Sequence, residues 1–77
     1  MRDLPADGAW IDDRRKAIGA AIREPRRSRR LTQDDVWMAA RVNRWTLQRL
    51  EAGEEVTLST LLRVAHVLDV PLADLVR

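Results

Sequence analysis

The sequence predicts an all-α protein of five short helices, and three observations predict it. Apolar residues return at intervals of three and four in five separate stretches, the spacing that puts them on one side of a helix. Thr32, Asn43 and Thr57 each stand directly before such a stretch, where a short polar side chain caps exposed backbone amides. No stretch alternates apolar and polar residues for long enough to make a strand.

Residues 1–10 predict a loose arm, because Pro5, Asp7 and Gly8 break any period, with Leu4 and Trp10 as its anchors. The folded domain is then 11–77. Asp12 is the expected N-cap of the first helix, on which Ile11, Ile18 and Ile22 share a face beside Ala21. Pro25 lacks an amide hydrogen and its ring collides with the carbonyl one turn back, a cost of about 3 kcal/mol inside a helix. The first helix is therefore expected to kink or stop near Arg23, leaving PRRSRR (25–30) as a tight helical turn or a mobile basic loop. Thr32 caps a second helix over about Gln33–Ala40, with Asp34 and Asp35 in the first turn, where acids suit the helix dipole. Met38 falls on its outward side, as a contact for a partner or the arm. Asn43 opens a third helix, which ends at Gly53, a residue suited to a helix C-terminus. Thr57 opens a fourth, with Leu58, Leu61, Leu62, Ala65 and Leu68 in one apolar stripe. His66 joins Ser59 and Arg63 on its polar side. A last short helix follows Pro71, with Leu72, Leu75 and Val76 expected to face inward.

At 77 residues the chain fits one small domain, and 45% apolar content supplies a core. Without cysteine there is no disulfide or thiolate site to staple it. With one His and acids scattered outside any cluster, no metal centre and no cofactor are expected. No nucleophile stands in a recognisable motif, so the chain is not expected to be an enzyme. No apolar run approaches the roughly 18–20 residues that span a bilayer. The acidic MRDLPADGAW start also lacks the pattern of a secretory signal, so a cytoplasmic location is expected.

The formal net charge of +2 hides an asymmetry: residues 1–13 carry −3, residues 14–49 carry +8, and residues 50–77 carry −3. A concentrated basic stretch suggests a polyanionic partner, although a solvated helix face has the same composition. Thirteen of the fourteen basic residues are Arg, whose fork suits phosphate and guanine.

The third helix sharpens this. With Leu47 and Leu50 on its buried side, Arg44, Trp45, Gln48 and Arg49 spread over an arc of about 140° on the other. Arg bonds guanine and Gln bonds adenine bidentately in the major groove. An ordinary polar surface is the plain alternative, and the short Arg41-Val42-Asn43 turn and flanking arginines weigh against it. Trp45 has two readings, a contact to a sugar or a thymine methyl, or a cover over Arg41 and the seam between the second and third helices; the structural one is favoured.

Thr32-Gln33, Val36, Val42, Leu47, Leu50-Glu51 and Gly53 resemble the helix-turn-helix of the phage-repressor (Cro/cI-like, XRE) family. The likeness runs from Ile18-Gly19 to Leu75, through TLSTLLRVAHVLDVPLADL. It implies a five-helix, repressor-like DNA-binding domain whose third helix, about 44–52, enters the major groove, usually as a dimer on a two-fold related site. It also implies that Asn43, Arg44, Trp45, Gln48 and Arg49 face the groove and that Thr32 and Gln33 meet a phosphate. Arg26, Arg27, Arg29 and Arg30 are expected to hold the duplex backbone beside them. Three residues depart from the pattern. Trp37 stands where the family has a small residue, so the indole should push the helices apart or lie along their edge. Arg41 stands where Gly is frequent, at a cost of roughly 1 kcal/mol or more if the turn stays left-handed. Pro25 replaces an apolar residue.

The expected function is sequence-specific binding of double-stranded DNA by a transcriptional regulator, a repressor more than an activator. Val67, Val70, Leu72 and Val76, with Leu4 and Trp10, exceed what one short terminal helix buries, so a homodimer is expected through the C-terminal helices or the arm. The rival reading is a protein-interaction module, antitoxin-like or adaptor, with a protein partner and weak or no DNA binding.

Overall fold

The computed structural model covers residues 1–77 and contains five helices: α1 Ala9–Ser28, α2 Gln33–Ala40, α3 Arg44–Glu51, α4 Leu58–Val67 and α5 Leu72–Leu75. Three of them start at the anticipated caps. Thr32, Asn43 and Thr57 have extended backbones, and their side chains accept from the amides of Asp35, Thr46 and Thr60. At α2 the exchange is reciprocal, since the Thr32 amide donates to Asp35 Oδ2 at 2.8 Å, so two otherwise orphaned donors are satisfied. That amide, and after it the Thr32 hydroxyl, hold the Asp35 carboxyl below its ordinary 3.8.

Four helix ends close in the same way. Arg30, Arg41, Gly53 and Asp69 have φ of 58°, 58°, 83° and 54°. In each case the following amide reaches back to a carbonyl one turn earlier: Leu31 to Arg26, Val42 to Trp37, Glu54 to Arg49 and Val70 to Ala65. Only Gly53 enters this left-handed region without a Cβ penalty. Arg41 therefore keeps the turn geometry at the cost anticipated for a non-glycine residue.

α1 departs from expectation at both ends. It begins at Ala9 rather than after Asp12, with the Ala9 amide donating to Asp7 Oδ1 at 3.1 Å. It then runs through Pro25 to Ser28 instead of stopping near Arg23. The proline lies in the last turn, where one lost backbone bond is outweighed by what brackets it. Ile22 is fully buried one residue turn before, and buried Arg26 is anchored on the far side.

Ile22, Val36, Leu47, Val64 and Leu68 form the inaccessible centre of the core. α1 packs against α3 and α5, and α2 packs against α3 and α4. The α1–α3 crossing requires Gly19: a Cβ there would lie 2.6 Å from the Leu50 carbonyl oxygen and 2.8 Å from that of Glu51. The α4 stripe is narrower than expected. Leu61, Ala65 and Leu68 are buried with Val64, but Leu58 and Leu62 remain 64% and 45% exposed. On α5, Leu75 is buried while Val76, expected inside, is 57% exposed just past the helix end. Val67, Val70 and Leu72 are partly buried against the chain's own core. No helix is long and apolar enough to cross a membrane.

Candidate nucleic-acid interface

α3 is anchored on one side and open on the other. Leu47, Leu50 and Glu51 are buried. Glu51, an acid on an otherwise apolar side, receives the Arg26 guanidinium bidentately, with Nε to Oε2 at 2.8 Å and Nη2 to Oε1 at 2.9 Å. Arg26 Nη1 donates to the Leu31 carbonyl at 2.9 Å, and the Gln33 amide reaches Glu51 Oε1 at 3.3 Å. Arg23 adds a bond to the Glu51 carbonyl at 3.0 Å. This network ties α1, the start of α2 and α3 into one unit, and no buried side-chain polar atom lacks a partner.

Opposite that anchor, at about 100° per residue, Trp45 lies near the middle of the outward arc, flanked by Gln48 and Arg49, with Arg44 at one edge. Trp45 is 73% exposed, so it does not cover the α2–α3 seam as the favoured sequence reading held. Gln48 is half-buried and Arg49 is exposed, its Nη2 resting on the Glu55 carbonyl at 3.2 Å. Asn43 is committed to the cap, with Oδ1 accepting from the Thr46 amide and hydroxyl, each at 2.7 Å. Its own amide group remains available. The open cleft beside Arg49, about 520 Å³, is lined also by Thr46, Thr57 and Thr60. Of these, Thr57 is anticipated only as a helix cap, and Thr46 and Thr60 are not anticipated at all.

The arginines before α2 divide into two pairs. Contrary to expectation, Arg26 does not face a phosphate, because its guanidinium is buried and every bond it makes is internal. Arg29 donates from Nη1 to the Leu68 carbonyl at the end of α4, which ties it to the fold as well. Arg27 and Arg30 are exposed and make no side-chain bond within the protein. At the start of α2, the Thr32 amide and hydroxyl oxygen serve the cap, and one N–H of the Gln33 amide is engaged by Glu51. The Gln33 amide keeps its second N–H for an outside acceptor.

Trp37 lies along the helix edge rather than prying the helices apart. Its Nε1 donates to Asp34 Oδ1 at 2.7 Å, and Arg44 Nε stands 3.4 Å from that same oxygen. The Arg44 guanidinium carbon lies 6.0 Å from the centre of the indole ring. The Asp34-to-Trp37 spacing of three residues on one helix was the available signal for this group. At the turn, Arg63 Nη1 donates to the Arg41 carbonyl at 3.2 Å.

Comparison with known proteins agrees with this architecture. A family model described as "Helix-turn-helix" matches residues 22–75. The crystal structure of the clp gene regulator ClgR from Corynebacterium glutamicum is similar, with 36% sequence identity and a TM-score of 0.73. The match covers 80% of this chain and 67% of that one. No curated protein gives a significant match. The family match spans most of the chain, from α1 to α5; the chain belongs to the helix-turn-helix family, as a DNA-binding transcriptional regulator of the phage-repressor (XRE) type.

Proposed function

We propose that this chain regulates transcription by inserting α3 into the major groove of a specific DNA site, with Arg44, Trp45, Gln48 and Arg49 against the base edges and Asn43 beside them. The observation that carries this reading is the two-sided character of α3: one side is locked into the core and to Arg26, while the other is exposed and rich in groups that recognise bases. Arg27 and Arg30, with the remaining amide donor of Gln33 and Thr32 beside it, hold the duplex backbone. Binding rather than catalysis is the activity, since an outward helix face suits a groove. The chain acts in the cytoplasm, where its DNA would be.

Repression is the simpler outcome, because occupancy alone obstructs a polymerase and activation needs a further contact. The chain binds as a homodimer on half-sites about 34–36 Å apart. Exposed Leu58, Leu62 and Val76 toward the C-terminus, and Trp10 and Leu4 at the N-terminus, supply apolar surface for the contact. Light scattering with and without DNA tests the dimer, and a monomer under both conditions removes it.

The test of function is selection of bound sequences from a random pool, followed by affinities for the selected site and for scrambled DNA at several salt concentrations. Arg49→Ala should lose about 1–3 kcal/mol on the selected site and relax preference at one position. Arg27→Ala should weaken both DNAs alike and flatten the salt slope by about one unit. If Arg49→Ala leaves the ratio of the two affinities unchanged, α3 is not the reader.

A further inference from the structure

Resting on that reading, we infer that Asp34 and Trp37 are positioning residues that hold Arg44 for base readout and keep it from acting as a general phosphate grip. The geometry is a chain of three contacts across the α2–α3 seam. The indole N–H fixes the Asp34 carboxylate at 2.7 Å, that carboxylate faces Arg44 Nε at 3.4 Å, and the Arg44 guanidinium lies over the indole at 6.0 Å. Arg44 is the first residue of α3, half-exposed, and its terminal nitrogens make no hydrogen bond within the protein. The side of the guanidinium taken up by Asp34 is the Nε side, which leaves the terminal pair for a forked contact with guanine O6 and N7.

Two physical effects follow from this arrangement. An arginine on an exposed helix start otherwise samples many rotamers, and most of them reach a phosphate as readily as a base edge. Packing over a half-buried indole and pairing with a fixed carboxylate narrow that set. Asp34 also repels the phosphate backbone, so Arg44 bound to its partner contributes less to indiscriminate attraction than a free arginine does. The bulky residue at position 37 thus has a role that a small residue could not fill, since the indole supplies both the platform and the N–H.

The test compares wild type, Asp34→Ala, Trp37→Phe, Arg44→Ala and the double variant Asp34→Ala/Arg44→Ala. Each is measured on the selected site, on single-base-pair variants of it and on scrambled DNA, at several salt concentrations. Asp34 and Arg44 are half-exposed, so these variants fold, and thermal melts establish this for Trp37→Phe. Asp34→Ala and Trp37→Phe should each lower discrimination about three- to tenfold at the one base pair under Arg44. Asp34→Ala should also tighten scrambled DNA and steepen its salt slope by up to about 0.9. In the Arg44→Ala background, Asp34→Ala should change no discrimination at any base pair. The Trp37 indole proton resonance, assigned by its absence in Trp37→Phe, should shift in Asp34→Ala. A wild type that selects a site while both single variants retain full discrimination overturns the positioning role alone. A wild type that selects no site overturns the DNA-reading function beneath it.

Discussion

Replacing either member of the Arg26–Glu51 pair should come close to unfolding the domain, while replacing both should not. The side chains are 11% and 4% exposed, so neither charge can turn to water when its partner is lost. In Arg26→Met, the Glu51 carboxylate keeps only the 3.3 Å bond from Gln33, and the Leu31 carbonyl loses its donor. In Glu51→Leu, Arg26 keeps only its bond to Leu31. Breaking a buried pair from one side costs about 3–5 kcal/mol. A domain of this length has a total stability of about 4–12 kcal/mol at ~0.05–0.15 kcal/mol per residue, so the single variants retain little of it. The double variant Arg26→Met/Glu51→Leu leaves no unpaired charge. It loses only the bonds to Leu31 and Gln33, about 1 kcal/mol each, so it should lie some 1–2 kcal/mol below wild type.

Urea unfolding followed by far-ultraviolet circular dichroism measures all four proteins and closes the cycle. A coupling energy above about 3 kcal/mol is expected, insensitive to salt because the pair is shielded from solvent. If Arg26→Met costs less than about 1 kcal/mol, or if the two single losses simply add, the pair is not the clamp between α1 and α3. The orientation of the recognition helix would then rest on apolar packing alone.

Three further outcomes are expected. Arg41→Gly should raise stability by about 0.5–1 kcal/mol, because the left-handed penalty of roughly 1–2 kcal/mol disappears and glycine's chain entropy returns part of it; thermal denaturation should show a rise of about 3–6 °C. Gly19→Ala should cost at least about 1–3 kcal/mol in the same assay, because the new methyl meets the Leu50 and Glu51 carbonyl oxygens and two backbones must part. The Asp35 carboxyl is held below its ordinary 3.8, so its stabilisation is fully present above that value and is lost as pH falls through the lowered one; Asp35→Asn should flatten the stability profile below about pH 4, and an unchanged acid limb would rule out the reciprocal cap as its source.

What was legible in the sequence was what neighbours decide. Thr32, Asn43 and Thr57 cap helices because each bonds an amide three residues on, a relation that the order of residues displays. The outward arc of α3 was legible for the same reason, since Leu47 and Leu50 orient the helix and the rest follows from its pitch. The fate of the arginines was not legible. Arg26 is claimed by an acid 25 residues away and Arg29 by a carbonyl 39 residues away, and both partners come close only when the helices pack. Pro25 misled for a related cause: its local penalty is real, but Ile22 and Arg26 on either side are held by tertiary contacts that no local rule weighs. Trp45 erred in the opposite direction, as a large apolar side chain assigned to a seam that Trp37 already occupies. A run of arginines therefore sets an upper limit on phosphate contacts. Here the limit of four between residues 26 and 30 falls by one, because the fold spends the charge of Arg26 on the buried Glu51 before any DNA arrives.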